Sequence, residues 1–419
     1  MNLVNSTGNK VRYSFIFIGG IIFFVVALFS VNWSFLRSYN LAPIPEGSDI
    51  TPSDVNPDSV SSGDGVVFFS DKAVETIRKN GERNPQIKQW LQMQFEIARA
   101  SHNRAPRPVK SLAELKSNLD LSASAQVEDE FNRLIALALD ARMNGNKDSL
   151  KTAREYLLAW AGVYEPNGYP NVEVAMSGYI MAYELARKNL SGEDRATIDN
   201  FLDKLFIAQK ENVNRPDFDG QKWGNKWSLH ASNVAMVAFL ERDREKIAYV
   251  KNIYFDQLSH NIQPAGKLAD FYPKELLGNV FERFPFLKDR TYEKGVTFDF
   301  IHRDALLYHR ASIEPLYVIA LIAKNNGEDW YLLKGEKGQT LEWAFDFLVP
   351  YATGEEEHYE FKDTLIDFDT SNKRQTWFKP QDGISTLTLA TGLYPKYKQY
   401  ANINLLWSSN MPVFVTYEQ

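Results

Sequence analysis

From about Phe68 onward, apolar residues return at three- and four-residue intervals, segment after segment, with turn-forming residues between the segments. Phe131, Leu134, Ile135, Ala138 and Leu139 form one such stripe, after the polar run SASAQVEDE; Val172, Met176, Tyr179, Ile180 and Tyr183 form another. That is the period of an α-helix burying one face. Ser191, followed by Gly-Glu-Asp, has the character of an N-cap and acidic first turn, opening a helix with Ile198, Leu202 and Leu205 inward. Further helices are predicted over residues 85–102, 148–163, 227–242, 244–260, 305–324 and 339–350. The breakers Asn144-Gly145, Pro166-Asn167-Gly168 and Asn326-Gly327 fall at intervals suited to helical hairpins. Successive hairpins in one chain predict an all-α domain, and among helical folds an (α/α) toroid is expected, its inner helices and their loops framing a cleft. Strand is expected only near residues 355–385 and 411–417.

The chain ahead of this domain reads differently. Tyr13 to Val31 is a 19-residue run without a charge, close to the roughly 20 residues that carry a helix across a bilayer. Lys10 and Arg12 precede it; Glu46, Asp49, Asp54 and Asp58 follow, with Arg37 the one dissenting charge. The positive-inside bias then puts residues 1–12 in the cytoplasm, a transmembrane signal-anchor at 13–36, and the domain outside, periplasmic or extracellular. A cleaved signal peptide followed by secretion is the alternative, although no clear small-x-small cleavage site is present. Residues 37–67, rich in Pro, Ser, Gly and Asp, read as a flexible linker, and 68–419 as one folded domain.

Composition narrows the partners. The net charge is −6, which does not favour a nucleic-acid surface. An anionic glycan stays open if Lys and Arg gather in a cleft, and 9 Trp and 20 Tyr suit a carbohydrate groove as well as a thick core. With no cysteine, disulfides and thiolate metal sites are excluded.

Three segments concentrate chemistry. GYPNVE, residues 168–173, lies between helices; Asn171 and Glu173 have the residue types either of a cap and first turn or of a contact to sugar hydroxyls. WGNKWSLHASN, residues 223–233, puts Trp223, Asn225, Lys226, Trp227 and His230 at a loop-to-helix junction, where backbone N–H groups favour a carboxylate. Lys226 and His230, four apart, share a helical face; a solvated lysine and a packed histidine are the plainer reading. DFIHRDALLYH, residues 299–309, brings Arg303, Asp304, Tyr308 and His309 into one stretch. If helix has begun by Asp304, that carboxylate lies one turn from Tyr308 and orients the phenol, while Arg303 grips a carboxylate at the mouth.

GNKWSLH, RDALLYH with the ASIEPLYVIALIA that follows its arginine-bearing stretch, and REYLLAWAGVYEPNGYPN resemble the signature regions of the alginate lyase family, polysaccharide lyase family 5 and its relatives, over roughly residues 125–330. The resemblance implies the incomplete (α/α) toroid and a β-elimination on a uronate-containing polysaccharide. It needs no cofactor and no metal, and no helix-borne HExxH is present. By the same resemblance Tyr308 corresponds to the tyrosine that takes the C5 proton, and Asn225 to the asparagine that neutralises the uronate carboxylate. Two positions depart. Lys226 stands where the family has a histidine, with His230 one turn on; Ile301 stands where it has an arginine, with Arg303 the nearest substitute.

The reading that follows is a membrane-anchored polysaccharide lyase. Its catalytic residues would be Tyr308, His230, Asn225 and Arg303. Lys226, Trp223, Trp227, Asn171, Glu173, His309 and Asp304 would bind substrate. Two alternatives stay open. An inverting glycoside hydrolase on the same fold would need two carboxylates roughly 6.5–9.5 Å apart, drawn from Asp299, Asp304 and Glu173. A non-catalytic glycan-binding or exopolysaccharide-assembly protein would keep the fold and account for Lys226 and Ile301.

Overall fold

The computed structural model describes residues 65–111, 121–169, 173–213, 224–271, 278, 281–371 and 374–402. The expected transmembrane segment at 13–36 and the strand expected at 411–417 lie outside the described residues, as do Asn171 and Trp223.

Helices dominate, and the sequence supplies their ends. α1 (Asp71–Arg83) is capped by Ser70, and α2 (Pro85–Ser101) by Asn84, with Pro85 at its first position, where the missing N–H costs nothing. α3 (Leu121–Asn144) and α4 (Lys147–Val163) form a hairpin across Gly145, which has φ +65°; Asn146 caps α4. α5 (Met176–Ala186) and α6 (Gly192–Val213) follow, then α7 (Asn225–Glu241) and α8 (Arg244–His260), joined by Arg242 in the left-handed conformation with Asp243 capping α8. A two-stranded antiparallel sheet of β1 (Gly266–Lys267) and β2 (Thr291–Tyr292) leads to α9 (Phe298–Arg303) and α10 (Leu306–Asn325). α11 (Leu341–Thr353) precedes a second small sheet, β3 (Tyr359–Glu360) with β4 (Thr376–Trp377), around the short α12 (Asp367–Ser371). α13 (Pro380–Ala390) then packs on α11. The expected helices thus form, with strand confined to two small hairpins among the described residues.

α7 and α10 share the most extensive contact between any two elements, and nearly every residue of α7 is buried. They run in the same direction. The Asp299 carboxylate binds the first N–H of α7 and the Ser312 hydroxyl of α10, so α7 begins level with Ser312, in the second turn of α10. Their other ends meet one segment: Asn325 and Asn326 of α10 bind the backbone of Val66 and Val67, and Gly65 lies against the carbonyls of Phe239 and Leu240. A Cβ at Gly65 would clash with those carbonyls, so only glycine allows the approach. Two central helices therefore present their N-termini, and the residues of both chemical segments, at one end of the domain. α10 is also the one described helix long and apolar enough to cross a membrane; 78% of its apolar window is buried inside the domain, where it serves as a core helix.

Candidate active site

The site is built from the bottom of α7 and α10 and the link between α9 and α10. α7 starts at Asn225 without a side-chain cap, its first N–H taken instead by the Asp299 carboxylate. Asp299 is buried and also accepts from Ser312 Oγ at 2.6 Å. Burial pushes its carboxyl above the usual range; the Ser312 hydroxyl, Arg303, the Asn225 N–H and Lys226 oppose that shift. One carboxylate thus ties the asparagine segment to the tyrosine segment, 74 residues on. The Asn225 residue is 5% exposed, and its side-chain Nδ2 is buried without a hydrogen-bond partner among the described residues. A buried donor left open is costly unless a ligand takes it.

α9 is capped by Thr297 and stops at Arg303, because Asp304 turns left-handed at φ 47°, ψ 50°. The helix has therefore not begun at Asp304, and the expectation that its carboxylate orients the Tyr308 phenol is corrected. That carboxylate instead accepts from Arg290 Nη2 at 3.2 Å and from the Asp363 N–H at 2.8 Å. Its carbonyl accepts from the Phe361 N–H and His358 Nε2. The kink is pinned by the segment that follows α11.

Tyr308 sits in the first turn of α10, 1% exposed. The Arg303 guanidinium lies 4.0 Å from the centre of its ring, Arg374 Nη1 donates to its hydroxyl at 3.4 Å, and Phe361 meets the ring edge-on. Asp369, fully buried, holds both arginines: it accepts from Arg303 at 2.8 and 3.0 Å, from Arg374 at 2.9 Å, and from Thr364 Oγ1 at 3.2 Å. Burial raises the phenol's pKa; Arg303 and Arg374 pull it down and Asp369 pushes it up. Asp369 and Arg374 carry no periodicity or spacing that sequence reading could use. They lie in and just after the short α12, some 65 residues beyond Tyr308, joined to it only by the fold.

The remaining expected residues divide. Lys226 is half-buried in the first turn of α7, 5.9 Å from the Tyr169 ring centre. Ile301 packs in an apolar cluster with Phe298, Phe300 and Leu348, so no charge belongs there; the guanidinium comes from Arg303, two residues on. His230 is fully buried between Trp227 and Tyr249, its Nε2 2.8 Å from the Tyr249 hydroxyl and its Nδ1 without a hydrogen-bond partner among the described residues; burial holds it down to about 3, hence neutral. Trp227 is a packed ring, 6% exposed. His309 is buried too: Nδ1 meets Thr297 Oγ1 and Nε2 meets the Ala344 carbonyl, with a pKa lowered to about 4 by burial. Glu173 is fully buried and accepts from the Tyr164 hydroxyl and the Asn167 and Gly168 N–H groups. Those bonds to Oε1 shape its own loop, and Oε2 is buried as well.

A sequence model of the family described as alginate lyase matches residues 56–358. No curated protein sequence matches the chain. Among solved structures, an alginate lyase from Bacteroides ovatus superposes with a TM-score of 0.56 at 13% identity, over 82% of this chain and 99% of that one. Alginate lyase A1-III of Sphingomonas species A1, as a tyrosine-to-phenylalanine variant complexed with a tetrasaccharide, does so at 0.54 and 14%, over 87% and 99%. At such identities the likeness is one of fold. The sequence match spans most of the described domain, and the chain belongs to the alginate lyase family, a family of polysaccharide lyases.

Proposed function

We propose that this chain cleaves a uronate-containing polysaccharide by β-elimination at Tyr308, on a domain whose helical hairpins form the incomplete (α/α) toroid. The phenolate takes the C5 proton, the C4–C5 double bond forms, and the bond from C4 to the glycosidic oxygen breaks. The leaving oxygen then receives the proton from the phenol. Arg303, Arg374 and the Asn225 amide neutralise the uronate carboxylate, with Lys226 at the edge, so that charge developing on the sugar meets donors already in place.

The observation that carries this reading is the pairing of one buried phenol with two guanidinium groups fixed by a single carboxylate. An ordinary tyrosine at neutral pH is ionised in about one part in a thousand, equivalent to roughly 4 kcal/mol. Burial makes that worse and leaves the phenol above its ordinary range; the two adjacent cations offset only part of that rise, and charge developing on bound uronate meets them directly. The Arg374 bond to the phenol is long at 3.4 Å, against 2.9 Å to Asp369. It is the contact a substrate carboxylate most readily replaces. The hydrolase alternative loses support from the same geometry, because Asp299, Asp304 and Glu173 are all buried and bound to their own neighbours.

The test is the ultraviolet absorbance of unsaturated uronate, measured on alginate and other polyuronates with wild type and Tyr308→Phe. Wild-type absorbance that falls at least a hundredfold in the variant, with binding retained, is expected. Saturated reducing ends would indicate hydrolysis, and binding without turnover in either protein a glycan-binding role. That last reading draws on one observation, the 1% exposure of Tyr308. We also keep the anchor at residues 13–36 with an outward-facing domain as a proposal. Sedimentation of the full chain with membranes, and release on deletion of those residues, is its test.

A further inference from the structure

The second hairpin has two faces of different chemistry. β3 and β4 pair antiparallel, with Tyr359 opposite Trp377 and Glu360 opposite Thr376. Side chains alternate along a strand, so Tyr359 and Trp377 share one face and Glu360 takes the other. The inner face serves the catalytic end: Glu360 is buried and accepts from the Leu307 N–H, capping α10 one residue before Tyr308. The outer face carries an indole that is 58% exposed, its ring centre 5.1 Å from that of Tyr359 at an angle of 61°. Cross-strand aromatic contact stabilises a hairpin, but it does not require so much of the indole to face water.

Its position suggests the occupant. β4 begins two residues after Arg374, whose guanidinium touches the Tyr308 hydroxyl. Gln375 and Thr376 separate Arg374 from Trp377, so their Cα atoms are at most about 11 Å apart when extended. A polymer whose uronate carboxylate lies at Arg374 therefore has its next rings within reach of the indole. The family match ends at residue 358, one residue before β3, so this hairpin is not part of the matched pattern.

We propose that the hairpin at residues 358–378 is a sugar-binding subsite, in which Trp377, backed by Tyr359, stacks on a ring of the polyuronate adjoining the one held at Arg374. The apolar face of a pyranose covers an indole, while Arg374 fixes the register through the carboxylate. This rests on the proposed elimination at Tyr308. It predicts that affinity grows with chain length until the polymer reaches Trp377.

Trp377→Ala and Trp377→Tyr are assayed on a ladder of oligouronates and on polymer. The expected outcome for Trp377→Ala is a KM for polymer raised about five- to tenfold with kcat unchanged and only a small fall in thermal midpoint from the lost cross-strand contact, no change on the shortest cleaved oligomer, and recovery in Trp377→Tyr. An equal loss at every length, or no loss at any, overturns the subsite. If wild type forms no unsaturated product from any polyuronate, the elimination itself fails, and the hairpin is then judged by binding alone. In that case oligouronate must quench wild-type tryptophan fluorescence more than that of Trp377→Phe; equal quenching overturns the proposal.

Discussion

At the scale of single residues, the proposed catalytic end is governed by charge balance around one hydroxyl. Asp369 offsets one of the two guanidinium charges beside Tyr308 and fixes both in place. The groups that face the phenol are Arg303 from α9, Arg374 from the stretch before β4, and Asp369 from α12. Asp369→Asn removes a negative charge that raises the phenol's pKa, so the phenolate forms at lower pH. If the base form of Tyr308 is the active one, the rising limb of kcat/KM against pH moves to lower pH. The loosened arginines lower kcat roughly ten- to a hundredfold at the optimum. A fall in kcat without movement of the limb would assign Asp369 a packing role only. None of this was legible in sequence. Tyr308 and Asn225 stand out in sequence because their local patterns are distinctive, but an acid 61 positions from that phenol leaves no local trace. The burial of His230 and His309 is likewise invisible in a sequence, because it comes from helices packed around them.

At the scale of elements, the decisive feature is the break between α9 and α10. The run from Asp299 to His309 has no glycine or proline to announce it, which is why helix through Asp304 was a reasonable expectation. The break comes from tertiary bonds: Asp304 accepts from Arg290, Asp363, Phe361 and His358, and those bonds hold it left-handed. An aspartate tolerates that conformation better than most residues. Asp304→Ala should therefore lose both the carboxylate bonds and that tolerance, costing about 2–4 kcal/mol in urea unfolding. Asp304→Asn, which keeps one acceptor oxygen for the Asp363 N–H and the left-handed preference, should cost less than Asp304→Ala. A cost in the alanine variant no larger than in the asparagine variant would remove the kink from the account. The long helices, by contrast, were legible almost to their ends, since periodicity and caps such as Asn84, Asn146 and Asp243 are local properties.

At the scale of the whole molecule, buried titratable groups of two kinds oppose each other across the pH range. His230, His302 and His309 are held down to about 3, 3 and 4 from an ordinary 6.5, all chiefly by burial. Between those values and 6.5 the unfolded chain binds protons that the folded chain refuses, so stability falls as pH drops through that window. Glu184, Glu241 and Glu360 are pushed up to about 7, 7 and 8 from 4.5, again chiefly by burial. Between 4.5 and those values the folded chain keeps protons that the unfolded chain releases, so stability falls as pH rises. Where the two windows overlap, three groups gain what three lose. The thermal midpoint should therefore be nearly flat between about pH 4.5 and 6.5, declining on both sides. Glu184 gives a separable arm of the test, since its carboxylate binds the N–H groups of Val67, Phe68 and Phe69, where the domain's first described segment docks on the far end of the helices. Glu184→Gln removes one of the three alkaline contributions while keeping an acceptor there. The decline of the midpoint between pH 6.5 and 8.5 should then shrink by about a quarter, and the midpoint should rise with pH between about 4.5 and 6.5, with the limb below pH 4.5 unchanged. A wild-type midpoint that keeps climbing to pH 8, or a Glu184→Gln variant that alters the acid limb instead, would mean that these carboxyls are ionised in the folded protein.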